Sequence, residues 1–251
     1  MKPLLKWVGG KSRLLNLIVK ECTTFPFKRV VEPFAGSVSL SLALDKPSLI
    51  NDLNFHLINL YIQVQSGLER KLDMKPEFYY RYRDRFNELT KAEINNRESA
   101  ELFYYLNKTG FNGLCRYNSK GFFNVPKGSY KTINYINSYS EYTKAFANWE
   151  FYSEDFSSLK IKQGDLLYID PPYDDGFTQY TKEGFSWEDQ VRLVIWLSNL
   201  SNPTIVSNKN TIRIKELYKN NGFTIKEVQA PRSISRDGNR SSASELLMIR
   251  V

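Results

Sequence analysis

The segment YIDPPY (168–173) places a carboxylate, two prolines and a tyrosine directly after an apolar run. We therefore expect Asp170 at the carboxyl end of a buried strand, the position at which open α/β sheets bind ligands. The prolines fix the backbone and remove amide donors, so the segment is either a strand terminator or the rigid frame of a small active site. The tetrapeptide alone does not separate these two interpretations.

Two further features are expected at the same edge of the sheet, because each follows a predicted strand. EPFAGS (32–37) is a glycine-containing turn between strand and helix, which lets a ligand approach the backbone closely, although it lacks the GxGxxG pattern. Asp52 ends the next predicted strand, where a carboxylate either accepts hydrogen bonds from ribose hydroxyls or caps the following helix. Three such strand ends together predict an active site.

The composition limits the classes of protein to which the chain can belong. It has 251 residues, 41% hydrophobic and 25% charged, and no apolar run long enough to span a membrane. One histidine, His56, provides little for His-based catalysis or a metal site, and we expect it to be structural. The two cysteines, Cys22 and Cys115, lack metal-site spacing and are expected to be reduced thiols. These features favour a cytoplasmic globular protein without a metal.

The positive charge is concentrated in one part of the chain. The net charge of +8 favours a polyanionic partner such as nucleic acid. Residues 102–140 contain no Asp or Glu, whereas a solvated charged face normally mixes both signs. Basic and aromatic side chains occur together in this window: Lys108, Phe111, Arg116, Tyr117, Lys120, Phe122, Phe123, Lys127, Tyr130 and Lys131. We interpret the window as a candidate nucleic-acid-binding surface.

The order of apolar patterns predicts the fold class. Strands are predicted where short apolar runs end in turn residues: 29–33, 48–52, 150–155, 166–170 and 204–208. Helical patterns lie between several of them, which predicts an α/β fold with a doubly wound, mostly parallel sheet. Near the end, 223–230 and 245–251 predict a strand pair that adds an antiparallel strand.

Residues 54–148 interrupt this alternation with helical segments and a Gly- and Asn-punctuated loop. We interpret them as an inserted, mainly helical subdomain that would recognise the target. Residues 1–53 and 149–251 would then form the catalytic domain.

Several segments together resemble the Dam-type DNA adenine-N6 methyltransferases. They occur in the order of that family and span nearly the whole chain: LKWVGGK (5–11), VEPFAGS (31–37), IND (50–52), NKTGFNGLCRYNSKGFFNVPKGSY (107–130), YIDPPY (168–173), IVSN (205–208) and RSIS (232–235). The resemblance implies methyl transfer from S-adenosylmethionine to adenine N6 in duplex DNA. It also implies a Rossmann-like methyltransferase sheet with a reversed final strand.

The chemistry implied by the resemblance accounts for DPPY. The N6 lone pair of adenine is delocalised into the ring, so the amine is a weak nucleophile that must be oriented for in-line attack. Asp170 and the carbonyl of Pro171 would accept hydrogen bonds from the amino group, Pro172 would help to fix both, and Tyr173 would stack on the base. A base inside a duplex must be turned out of the helix to reach these groups.

The resemblance implies cofactor-binding residues around the turn and the strand ends. They are Trp7, Val8, Lys11, Phe34, Gly36, Ser39, Asp52, Asp155, Phe156 and Asp170. One departure concerns the turn, because the family usually has a second glycine where this chain has Val38. The backbone contact at that point is therefore open to alteration, although Gly36 remains.

The resemblance also implies a set of DNA-binding residues. They are Lys6, Phe111, Asn112, Leu114, Arg116, Asn118, Pro126, Tyr130, Arg232 and Arg236. Arg116 would read guanine in the major groove, and Lys6 with Tyr130 would read the outer guanine. The segment matching Phe111 and Asn112 would fill the space left by the flipped base.

Two positions have a second interpretation. Leu114 and Pro126 would touch a thymine methyl group, or they would only pack within the loop. Arg232, Arg236 and Arg240 would grip phosphates without reading sequence. Together the matched residues predict GATC as the target.

Two other functions remain open at this stage. One is methylation of cytosine N4 or of an RNA base, although an aspartate before PPY favours adenine. The other is a DNA-binding relative that has lost catalysis, although DPPY, Asp52 and KWVGGK are intact. We expect the protein to act as a monomer on DNA, without membrane association or an obligate protein partner.

Overall fold

The computed structural model describes residues 1–173, 184–230 and 243–251. Seven strands within these ranges form one sheet in the order β3-β2-β1-β4-β5-β7-β6. Their bounds are β1 (Arg29–Glu32), β2 (Ser48–Asn51), β3 (Glu150–Tyr152), β4 (Asp165–Ile169), β5 (Thr204–Lys209), β6 (Thr224–Ala230) and β7 (Ala243–Arg250). All the strands predicted from apolar runs are present.

The sheet confirms the predicted fold class. Strands β1 to β5 pair in parallel, as in the register Val31 with Leu49 and Val31 with Leu167. Strand β7 is antiparallel to both neighbours, so that Met248 pairs with Val206 of β5 and with Ile225 of β6. The predicted reversal of the final strand is therefore confirmed, and β7 lies between the two strands that precede it in the chain.

The described residues contain eight α-helices. Their bounds are α1 (Leu15–Cys22), α2 (Ser39–Leu44), α3 (Phe55–Gln65), α4 (Tyr79–Lys91), α5 (Arg97–Thr109), α6 (Ser140–Phe146), α7 (Trp187–Ser198) and α8 (Ile212–Asn220). Two of these helices, α6 and α8, were not predicted from the sequence. The sequence does carry a signal for α8, because Thr211 is a favoured N-cap residue and apolar residues follow it at helical spacing. In the structure, the Thr211 hydroxyl accepts a hydrogen bond from Ile214 N.

The central strands are buried on both faces, which is why they read as continuous apolar runs. Successive residues of β4 belong to different clusters because strand side chains alternate between faces. Leu167 packs with Leu193 of α7, whereas Tyr168 packs in the cluster that contains Ile18 of α1. Helices therefore cover both faces of the sheet, which leaves the carboxyl ends of its strands as the place for a site.

The insertion has an aromatic core that includes Phe86, Phe103 and Phe123. The same buried cluster continues into Ile50 and Val38, which lie outside residues 54–148. The proposed division at 53/54 and 148/149 stays a prediction. No helix within the described ranges is long and apolar enough to cross a membrane.

Candidate active site and nucleic-acid interface

Asp170 follows β4 at the carboxyl edge of the sheet, where two distant parts of the chain reach it. Its Oδ1 lies 2.8 Å from Lys11 Nζ and accepts a hydrogen bond of 2.7 Å from Ser207 Oγ of β5. Lys11 Nζ also lies 4.6 Å from the centre of the Tyr173 ring. The predicted catalytic and N-terminal motifs therefore meet directly. We call the Gly36 turn, Asp52, Asp170 and Tyr173 the catalytic edge.

Polar partners from β5, β7 and α7 hold the DPPY segment. Gln190 Nε2 donates to the Pro172 carbonyl at 2.9 Å, and Asn208 Nδ2 donates to Gln190 Oε1 at 3.2 Å. The Tyr173 phenol donates to Glu245 Oε2 at 2.7 Å. None of these partners was assigned a role from the sequence. Ser207 and Asn208 carried a signal, since polar residues in an otherwise apolar, buried strand require internal partners.

The turn after β1 is built for close packing. Gly36 has φ +47°, and a Cβ atom there would lie 2.7 Å from Trp7 Cδ1, so a side chain would collide with the indole. The carbonyl of Gly36 accepts from the Tyr61 hydroxyl at 2.6 Å, and its amide donates to Asp52 Oδ2 at 3.0 Å. Two of the predicted strand-end features are therefore bonded to one another.

Asp52 does not cap helix α3, so that alternative interpretation is wrong. The cap is Asn54, whose side-chain oxygen accepts from Leu57 N at 3.2 Å. Asp52 instead receives the Asn54 amide at 2.9 Å on Oδ1. Burial raises the pKa of Asp52, and the bonds from Asn54 and Gly36 oppose that rise. Each carboxylate oxygen accepts one backbone amide and keeps capacity for a further donor.

Val38 adopts the conformation that a glycine would favour. It is fully buried and has φ 53° and ψ 30°, in the left-handed region. A β-branched residue in that region costs about 1–3 kcal/mol. The backbone of the turn is therefore kept despite the departure from the family pattern, at the cost of local strain.

Glu32 is a buried carboxyl that the sequence analysis did not select. Its Oε1 accepts from the backbone amide of Ser41 at 2.9 Å and from the Ser41 hydroxyl. Burial raises the pKa of Glu32 to about 7. This contact ties the last residue of β1 to α2. Nearby, the predicted cofactor residue Ser39 shares a 2.8 Å hydrogen bond with the Ser37 hydroxyl.

The predicted cofactor residues Asp155 and Phe156 lie beside Arg192 of α7. Arg192 donates to both oxygens of Asp155, at 2.7 and 2.9 Å, and its guanidinium lies 4.3 Å from the centre of the Phe156 ring. The arginine lowers the pKa of Asp155 to about 2. The rings of Phe34 and Phe156 are 5.6 Å apart, and Phe185 packs edge-on against Phe34. An apolar aromatic cluster therefore adjoins the carboxylate.

Lys6 and Tyr130, predicted to read the same guanine, are brought together. Lys6 Nζ lies 4.0 Å from the centre of the Tyr130 ring. Asn107 fixes the loop that carries Lys6, because it accepts from Lys6 N at 3.0 Å and donates to Lys6 O at 2.8 Å. The neighbouring Val8 is 42% exposed. The N-terminal motif therefore joins the catalytic edge to the insertion.

Residues 110–130, which we call the recognition hairpin, present several of the predicted DNA contacts. Phe111 is 48% exposed, and Asn112 follows it with φ 54°. The Phe111 amide donates to the carbonyl of Pro126 at 2.9 Å, which ties the two sides of the hairpin together. Leu114 packs partly against the core, as its packing interpretation predicts, whereas Pro126 is exposed.

Arg116 and Asn118 are exposed on the same hairpin but differ in how they are bonded. Arg116 Nε donates to Asn124 Oδ1 at 2.7 Å, which fixes the orientation of the guanidinium group. The side-chain oxygen of Asn118 accepts the amides of Lys120 and Phe122, each at 3.0 Å, so it closes the turn. Asn118 therefore has a clear structural role.

The basic window contributes less surface than its composition predicts. Lys108 is 8% exposed, with Nζ 5.4 Å from the centre of the Tyr104 ring, and burial lowers its pKa to about 8. Phe123 belongs to the core. These two residues therefore do not belong to a binding face. The predicted phosphate contacts Arg232, Arg236 and Arg240 lie outside the described residues.

Comparison with known proteins identifies the family. Residues 7–234 match the model of the D12 class N6 adenine-specific DNA methyltransferases. The retron Ec67 DNA adenine methylase of Escherichia coli is 37% identical, over 99% of this chain and 91% of that protein. The DNA adenine methylase of Haemophilus influenzae is 34% identical, over 99% of this chain and 93% of that protein.

A type II methyltransferase of Lactococcus lactis, M1.LlaDCHI, is 32% identical over 99% of this chain and 95% of that protein. Among solved structures, a putative RNA methyltransferase from Pyrococcus horikoshii aligns with a TM-score of 0.41 and 10% identity, over 94% of this chain and 78% of that one. A structural likeness that weak carries no argument about function. On its sequence, the chain belongs to the D12 class N6 adenine-specific DNA methyltransferases.

Proposed function

We propose that this enzyme moves a methyl group from S-adenosylmethionine to N6 of adenine in duplex DNA, at GATC, after the adenine has been turned out of the helix. The observation that carries the proposal is the catalytic edge. Asp170 lies there with Lys11 and Ser207, and Asp52 is bonded to the Gly36 turn. Such an edge suits a nucleoside cofactor on one side and a planar base on the other.

The residues around the Gly36 turn fit S-adenosylmethionine. The absence of a side chain at Gly36 allows the Trp7 indole to pack onto the turn, where it would form one wall of the cofactor site. Both Asp52 oxygens retain capacity to accept ribose hydroxyls. The partly buried ring of Phe34, which packs against the core residue Phe156, would offer an apolar surface for the adenine. When bound, the cofactor supplies an electrophilic methyl group on a sulfonium sulfur.

The protein would contribute orientation to this reaction. Oδ1 of Asp170 is bonded to Lys11 and Ser207, and Oδ2 has no other partner within the described residues, which leaves it for the amino group of the base. The carbonyl of Pro171 would accept a second N–H, and the two acceptors would direct the nitrogen lone pair at the methyl group. Lys11 lies between Asp170 and the Tyr173 ring, so an entering base would displace its ammonium group.

The recognition hairpin would read the DNA sequence. The exposed ring of Phe111 sits at a turn whose backbone is fixed, so it is suited to enter the space left by a flipped base. Arg116 is oriented by Asn124, and bidentate contact of arginine with guanine is a specific interaction worth about 1–3 kcal/mol. Lys6 and Tyr130, which lie in contact, would read the outer guanine.

The experiment is methyl transfer from labelled S-adenosylmethionine to three matched substrates: a GATC duplex, a duplex of the same composition without GATC, and the corresponding RNA. We expect label on the first substrate, and nucleoside analysis should identify N6-methyladenine rather than N4-methylcytosine. Absence of transfer to any adenine-containing duplex would refute the proposal. Equal transfer to both duplexes would refute only GATC specificity, and cofactor binding without transfer would favour a relative that has lost catalysis.

A further inference from the structure

The reversal of β7 has a functional consequence at the catalytic edge. Because β7 runs against β5, its first residues lie beside the last residues of β5, and Glu245 pairs with Lys209. A parallel strand in the same place would bring its opposite end to this edge. The reversal therefore delivers a carboxylate from the last strand to the carboxyl ends of the parallel strands.

Glu245 contacts the aromatic side chain of the DPPY segment. The Tyr173 hydroxyl donates to Glu245 Oε2 at 2.7 Å, and both side chains are partly buried. Hydrogen bonds with one charged partner are stronger than neutral ones. Burial, together with the charges of Asp170 and Glu245, raises the pKa of Tyr173, so the phenol keeps the proton that it donates.

The backbone on which this tyrosine stands is held independently. Pro171 and Pro172 have fixed φ angles, and Gln190 donates to the Pro172 carbonyl at 2.9 Å. The Tyr173 side chain can still turn about its Cα–Cβ and Cβ–Cγ bonds. The hydrogen bond from the phenol at the far end of the ring fixes the first rotation by holding the phenol oxygen in place. Because a phenol O–H prefers to lie in the plane of its ring, the position of Glu245 Oε2 also favours one plane for the ring that faces a base.

We propose that Glu245 is a positioning residue for methyl transfer, which holds the Tyr173 ring in the plane on which the target adenine stacks. This inference rests on the proposed function, because it gives the ring a base to hold. Glu245 does not touch the reacting atoms and acts only through the phenol.

The test is a double-mutant cycle between Tyr173 and Glu245. Glu245→Leu removes the acceptor with little change in volume, whereas Glu245→Gln retains a carbonyl acceptor. We expect Glu245→Leu to lower kcat/KM for a GATC duplex about tenfold, corresponding to about 1.4 kcal/mol, and Glu245→Gln to lower it only about two- to threefold. In the Tyr173→Phe background, which has no phenol, Glu245→Leu should have no further effect.

The matched control is Glu227→Gln on β6, which removes the same charge from the neighbouring strand, where Glu227 pairs with Lys215 at 2.6 Å. It should leave turnover unchanged. A second readout is the fluorescence of 2-aminopurine at the target position, which should report a less ordered flipped base in Glu245→Leu.

Equal losses from Glu245→Leu with and without the phenol would overturn the inference, because they would assign Glu245 to the stability of β7. Full activity of Glu245→Leu would also overturn it. Failure of the proposed function is distinguishable from both outcomes, since the unmodified protein would then transfer no methyl group to adenine.

Discussion

At the catalytic edge, Asp170 is bonded to Lys11 and Ser207, which are remote in sequence, whereas on the recognition hairpin Arg116 is bonded to Asn124, eight residues away. The first arrangement requires the N-terminal segment, β4 and β5 to be assembled together. The second is complete within one loop. Asp52, Asp170 and Tyr173 of the edge are partly buried, whereas Phe111, Arg116, Asn118 and Lys120 of the hairpin are exposed.

Under the proposed function, this difference separates the methyl-transfer chemistry from the reading of the DNA sequence. A change in the hairpin alters local bonds and leaves the sheet intact, so sequence preference can vary without loss of the reaction. A change at the edge disturbs several elements at once. The contacts of Lys6 with Asn107 and with Tyr130 join the two regions through the N-terminal motif. Asn54 joins them directly, because its amide donates to Asp52 Oδ1 and its side chain donates to Cys115 Sγ.

The largest effect is expected from Asp170→Ala. Loss of the acceptor for the amino group should lower kcat at least about 10²–10³-fold, the range for removing one preorganised polar group. DNA affinity should change little, because the hairpin is independent of this residue. Rapid-quench methyl transfer and DNA titration measure the two quantities. Asp84→Ala, on the exposed surface of α4, is the control, and turnover of Asp170→Ala close to that of the control would contradict the assignment.

The insertion core can be tested through His56, which is buried among Phe86, Phe103 and Tyr117. Burial lowers the pKa of His56 to about 4, so the unfolded chain takes up a proton between about pH 6.5 and 4 while the folded chain does not. The buried neutral His56 therefore leaves the free energy of unfolding unchanged above about pH 6.5. As the pH falls below that value, it lowers the free energy of unfolding, by about 2 kcal/mol at pH 5.

The measurement is urea unfolding of the unmodified protein and of His56→Phe at pH 7 and pH 5. The raised pKa of Glu32 has the opposite effect, because its contribution falls as the pH rises towards about 7. Because both proteins contain Glu32, its contribution cancels when the free energy of unfolding of one protein is subtracted from that of the other. Identical pH dependence of both would show that the pKa of His56 is the same in the folded and the unfolded protein.

Arg116→Lys should change specificity more than turnover. Lysine keeps the charge but loses the bidentate geometry, so discrimination at one base pair should fall by about 1–3 kcal/mol. Methylation rates on duplexes with each substitution in GATC give the profile. Lys120→Ala, at the exposed tip of the hairpin, should instead weaken binding to all duplexes alike. If Arg116→Lys lowered the methylation rate equally on all duplexes, Arg116 would contact only phosphate.

The smallest effect is expected at Val38, where strain and packing oppose each other. Val38→Ala keeps the left-handed backbone and loses buried methyl groups, a loss of about 1–2 kcal/mol. Val38→Gly loses more contact but relieves about 1–3 kcal/mol of strain. We therefore expect the glycine variant to be at least as stable as the alanine variant, as measured by thermal unfolding. A melting temperature of Val38→Gly clearly below that of Val38→Ala would mean that packing dominates at this turn.

The sequence was sufficient for the strands, because their apolar runs are short and end in distinctive turns. It was also sufficient to place Asp52 and Asp170 directly after their strands and Gly36 in the turn that follows β1, whereas their roles in binding and catalysis stay predictions. It did not supply Ser207, Gln190 or Glu245 as partners of DPPY, since those contacts depend on which strands become neighbours. It also overestimated the basic surface, because composition does not reveal that Lys108 is buried.

The position of β7 has a consequence for synthesis of the protein. Strand β6 is made before β7 but has no place in the sheet until β7 has entered between it and β5. A chain released before residue 243 would retain Asp170 and the Gly36 turn, yet it would expose the edge of β5 and lack the partner of Tyr173. Chains shortened at this end would therefore be prone to aggregate. Completion of the sheet and completion of the catalytic edge are one event, since the same strand accomplishes both.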